Sequence, residues 1–68
     1  MKFRIKHEIK GRMRVHMAQK RMSYEQADTL LYYLQTIPGV ESANVYDRTA
    51  DAAIRYSCPR EVVIQALR

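Results

Sequence analysis

The periodicity of the chain changes at Ile37-Pro38-Gly39, and that change dictates most of what it can fold into. Ahead of the break, Ser23 with Gln26 three residues later forms the sequence signature of a helix-capping box. Ala27, Leu30, Leu31, Leu34 and Ile37 then recur at helical spacing on one apolar stripe. Beyond Gly39 the period falls to two. Ala43 and Val45 fall on one side of a strand from Val40 to Tyr46, with Asn44 and Tyr46 on the other. Asp47-Arg48-Thr49 turns the chain, and Ala52, Ile54 and Tyr56 alternate with Ala53 and Arg55 in the next strand. With 68 residues in all, there is room for one domain and one small core. Such a core leaves only ~3–5 kcal/mol of net stability.

Upstream of the helix, FRIKHEIKGRMRVHM alternates apolar and charged residues on either side of Gly11. A three-residue loop at Ile9-Lys10-Gly11 places Gly11 in the left-handed position such loops require. Glu8 then opposes Arg12, and Phe3, Ile5 and His7 lie across from Met17, Val15 and Met13 on an apolar face. The other face carries Arg4, Lys6, Arg12, Arg14 and His16. The competing reading is one long strand bulged at Gly11. At the far end, Pro59 suits the first position of a last helix capped by Cys58 or Ser57, with Val63, Ala66 and Leu67 inward. The order β(β)αββα predicts an α+β sandwich: two helices over one face of a mostly antiparallel sheet, the other face open.

Charge is placed unevenly. Residues 1–22 hold eight basic side chains against Glu8 alone, while the remaining 46 hold four basic and six acidic. This asymmetry points to an acidic partner, whether protein, anionic lipid or nucleic acid, unless the basic face is simply solvated. No stretch approaches the roughly 20 apolar residues that cross a bilayer. The single cysteine, Cys58, excludes an intramolecular disulfide and fits a reducing compartment.

The strand, helix, hairpin, helix order together with IPGVESANVYDRTADAAIRY resembles the heavy-metal-associated (HMA) domain. That family carries L/I-P-G-V, a small residue and V, then a turn with T and a strand ending in Y or D. The segment HEIKGRMR further resembles the H-x-x-x-G-R-x-R pattern of a divergent HMA-like group found ahead of bacterial heavy-metal-translocating P-type ATPases. The resemblance spans roughly residues 11–68 and implies a ferredoxin-like sandwich. The family binds soft metals through C-x-x-C between its first strand and first helix, and here that place reads HMAQKRMSYEQ, without cysteine. Its metal site therefore does not carry over. Its last edge strand is also missing, and residues 2–8 can fill that edge beside residues 12–17.

Each candidate chemistry has an ordinary structural counterpart. His16, Met17 and Met22 meet in the helix-preceding loop, and imidazole with thioethers can hold Cu(I); methionine is also common core filling. Cys58 ahead of a helix could be a reactive thiol or a Cu(I) or Zn(II) ligand, or a small capping residue. An open basic sheet suits RNA, but Tyr46 is the only aromatic predicted on it, because Phe3 and Tyr56 point toward the helices. No nucleophile, base and orienting group converge, and His7 and His16 fall on opposite faces by register, so catalysis is not expected of this domain. By resemblance, residues 1–68 are one HMA-like domain of a longer chain, a cytoplasmic accessory domain of an inner-membrane pump with no cofactor. Its partner-binding residues would be Arg4, Lys6, Arg12, Arg14 and Arg55, facing the rest of the transporter, an acidic protein or anionic lipid. A strand at residues 40–46 on the sheet edge could also pair with its twin.

Overall fold

The structure, a computed structural model, describes residues 2–68. It contains β1 (Phe3–Ile9), β2 (Arg12–Met17), α1 (Tyr24–Gln35), β3 (Val40–Tyr46), β4 (Asp51–Tyr56) and α2 (Arg60–Leu67). The strands form one antiparallel sheet in the order β1-β2-β4-β3. This is an α+β, ferredoxin-like sandwich in which β1 holds the edge beside β2. Among the described residues, no helix is long and apolar enough to cross a membrane.

The helix stripe and the strand alternation meet in one core. Leu34, Val63 and Leu67 from the helices and Val15, Ala52 and Ile54 from β2 and β4 are almost fully buried, with Met13, Met17 and Tyr56 beside them. The capping box is present in both directions: Gln26 N–H donates to Ser23 Oγ at 3.1 Å, and Ser23 N–H donates to Gln26 Oε1 at 3.0 Å. Ser23→Ala should cost about 1 kcal/mol through loss of this cap. Urea denaturation reads it, and an unchanged midpoint would show that the box contributes nothing.

Three expectations are corrected. The β1–β2 loop has two residues, Lys10 and Gly11, with Ile9 opposite Arg12. Gly11 has φ +81° at the second central position of the turn, a conformation that glycine adopts at no steric cost. Such a loop would by itself set apolar residues against charged ones, and a β-bulge at Lys6 absorbs the conflict. Phe3 and Ile5 therefore remain opposite Met17 and Val15, while His7 pairs with Arg14 and Glu8 with Met13. His7 is thus an exposed residue of the open face, on the same face as His16, and Glu8 turns to the helix side.

The second correction concerns α2. It starts at Arg60, with Pro59 as N-cap and no side-chain capping bond. Ser57 Oγ instead lies 3.5 Å from the Gly39 carbonyl oxygen, and Cys58 packs against Gly39. The third is the turn between β3 and β4, which extends to Ala50, a fully buried residue at φ +57° whose carbonyl accepts the Met17 N–H at 2.8 Å. That bond, with the one from Met22 N–H to the Asp47 carbonyl, ties the β2–α1 loop to this turn.

Candidate partner-binding face

Alternation along four paired strands sets the open face as three rows. Arg4, His16, Asp51 and Tyr46 form the first; His7, Arg14, Ala53 and Asn44 the second; Ile9, Arg12, Arg55 and Ser42 the third. Lys6 joins them from the bulge. All five cations named from the sequence, Arg4, Lys6, Arg12, Arg14 and Arg55, therefore sit on this one face.

In the first row lies a carboxylate that sequence reasoning passed over. Asp51 is only 2% exposed. Lys6 Nζ donates to its Oδ2 at 3.1 Å, His16 Nδ1 lies 2.8 Å from Oδ1, and Arg14 Nη2 is 3.6 Å from Oδ2. Burial alone would raise its pKa, but the hydrogen bonds from His16, Lys6 and Thr49 and the attraction of the Lys6 ammonium outweigh burial and hold it below the usual carboxylate value. Arg14 also lies over the Tyr46 ring, 4.9 Å from its centroid, in cation–π geometry. The guanidinium so placed occupies one face of the ring. The signal available in the sequence was Asp51 itself, an acid at the head of a strand whose alternation places it among cations.

A second ion pair holds the helix side. Arg60 Nε donates to Glu8 Oε2 at 2.6 Å and Nη2 donates to Oε1 at 3.1 Å, with the Tyr56 hydroxyl 3.5 Å from the same carboxylate. The Arg60 hydrogen bond is the main reason that the Glu8 carboxyl is held below its usual value. Burial, and then the nearby Glu8 charge, push the Tyr56 phenol up. This pair docks the start of α2 onto β1.

The metal-ligand candidates are not brought together. His16 is on the open face with Nδ1 engaged by Asp51, whereas Met17 and Met22 are buried on the helix side. The two methionines line a groove of about 820 Å³ beside the β2–α1 loop, with no histidine or cysteine among its lining residues. Cys58 is at the opposite end of β4, about 20 Å away at the rise of a strand. Among the described residues, no three of His, Cys, Asp and Glu are grouped to hold a metal ion. Comparison with protein-family models, with curated proteins and with solved structures returned no match.

Proposed function

We propose that this domain is a non-catalytic docking module whose basic sheet face receives an acidic protein surface. On the resemblance carried by Ile37-Pro38-Gly39-Val40 and the HEIKGRMR segment, we further propose that the surface belongs to a bacterial heavy-metal-transporting P-type ATPase, of which the domain is an N-terminal cytosolic accessory part. The observation that supports docking is the placement of five cations on one face of the sheet, two of which, Lys6 and Arg14, are tied to the buried Asp51. A preset array of charge steers association and fixes orientation more than it adds raw affinity. Tyr46 has one ring face occupied by Arg14 and is the only phenylalanine, tyrosine or tryptophan in the three rows, which weighs against base stacking and so against RNA.

The test is an amide NMR titration of the labelled domain with a poly-glutamate peptide and, in parallel, with single-stranded RNA. Peptide shifts should map to the three open-face rows and fade as salt rises. The triple reversal Arg12→Glu, Arg14→Glu, Arg55→Glu should weaken peptide binding by about 2 kcal/mol, ~30-fold, from three exposed pairs. Peptide shifts centred on α1 or α2, or RNA binding tighter than peptide with Tyr46 ring shifts, would overturn the reading.

A further inference from the structure

The two edges of the sheet are built differently. β1 is guarded: it carries Arg4, Lys6 and a bulge, devices that deter another strand from pairing. β3 has its bulge at one end, at Glu41, and its remaining residues 42–46 are Ser-Ala-Asn-Val-Tyr, with no charge and no proline.

The ladder shows which backbone groups of β3 are free. Tyr56 N–H donates to Gly11, and the Ala50 carbonyl accepts from Met17, so the even-numbered residues along β4 bond toward β2. The odd-numbered ones, Asp51, Ala53 and Arg55, bond toward β3, where Tyr46, Asn44 and Ser42 stand opposite them. Ala43 and Val45 therefore aim their N–H and C=O groups off the sheet.

The helix layer adds an apolar flank above this edge. α1 lies over β3, and Tyr33 on its inner flank donates to the Ala66 carbonyl of α2. Two residues earlier, ~200° around the helix, Leu31 lies on the flank turned away from α2. Leu31 is half-buried and lies outside the core cluster, and Tyr32 next to it is 72% exposed.

We propose that β3 pairs antiparallel with β3 of a second copy of this chain, on a two-fold axis through Asn44. In this register Ala43 of each copy meets Val45 of the other, so all the free N–H and C=O groups of these residues are bonded across the axis. Each residue also meets one from its own face of the sheet, apolar with apolar. Only an even register does this, because a one-residue slip inverts the faces. A register centred on Ala43 would draw the Glu41 bulge into the ladder. Charge favours the same edge. The Arg12 and Arg14 strands of the two copies are five strand spacings apart, ~24 Å, against a Debye length of about 8 Å at physiological salt. The result is one continuous eight-stranded sheet, and it does not depend on the docking reading.

Sedimentation equilibrium over a dilution series, with amide hydrogen exchange at high and low concentration, tests this. A monomer–dimer equilibrium is expected, with the Ala43 and Val45 amides gaining protection on concentration while Asn44, bonded within the monomer, stays protected throughout. Asn44 is exposed, so Asn44→Lys and Asn44→Asp should each fold, and each should dissociate at least tenfold more readily by setting like charges on the axis. Mixed together they should re-form a heterodimer. A monomer with Kd weaker than about 1 mM overturns the proposal. So does a dimer indifferent to both variants, or Ala43 and Val45 protection that requires a different protein.

Discussion

Gly39→Ala is expected to remove most of the domain's stability at room temperature. Gly39 sits at φ +93°, where an L-residue brings its Cβ against the following carbonyl at a cost of about 1–2 kcal/mol. A Cβ there would also lie 2.4 Å from Cys58 Cβ and 2.9 Å from Cys58 Sγ, closer than such atoms approach. Neither neighbour can yield freely, because Cys58 is held between β4 and Pro59 and the Gly39 carbonyl accepts the Ser57 N–H at 2.8 Å. The two effects together amount to about 3 kcal/mol or more, against ~3–5 kcal/mol for a core of this size. Circular dichroism with urea titration measures it. A variant as stable as the parent would show that the α1–β3 corner rearranges without cost. Cys58→Gly in the alanine background relieves the contact but not the backbone conformation, so recovery should be partial.

Asp51→Ala should be the most damaging change on the open face. Its carboxylate is enclosed by Lys6, Arg14 and His16 rather than by core, and removing it leaves those groups without their shared acceptor. Hydrogen bonds to a charged group contribute about 1.5–3 kcal/mol. The Lys6 and Arg14 side chains are 42% and 46% exposed, so water replaces part of what is lost. The expected cost is about 2 kcal/mol, or roughly 10 °C in Tm for a domain of this size. The pH dependence follows from the direction of the shift. The folded pKa of Asp51 lies below its unfolded value, so its contribution is complete above about pH 4 and is lost as pH falls through the folded pKa. Asp51→Asn should flatten that acid limb while lowering stability at neutral pH. An unchanged acid limb would mean that the carboxylate is not preferentially bound in the folded state.

The elements that could be read from residue order are those whose signals are local. The Ser23–Gln26 box and the stripe through Leu34 specify α1 within a single stretch, and the alternation of Ala43 with Asn44 and of Ile54 with Arg55 specifies β3 and β4. The five cations fell on one face for the same reason, since a period of two assigns faces without knowledge of partners. His7 escaped that logic. Its face depends on whether the turn has two residues or three and on where the extra residue is placed, and Lys6 took it up. The start of α2 escaped as well, because Cys58 and Ser57 are engaged by Gly39 across the fold rather than by their own helix.

The candidate site divides along the same line. Its positive charge is a property of composition and strand period, visible in Arg12, Arg14 and Arg55 before any fold is known. Its organisation is not, because Asp51 meets His16 and Lys6 from 35 and 45 residues away, and Glu8 meets Arg60 from 52. The sequence alone determined the helices, the strands and the sign of the open face, because those follow from periodicity and capping within a few neighbouring residues. Only the tertiary structure decided the bulge at Lys6, the enclosure of Asp51 and which backbone groups of the β3 edge, those of Ala43 and Val45, are left free. Those depend on which strands become neighbours, and that choice is made by burial of the whole core at once.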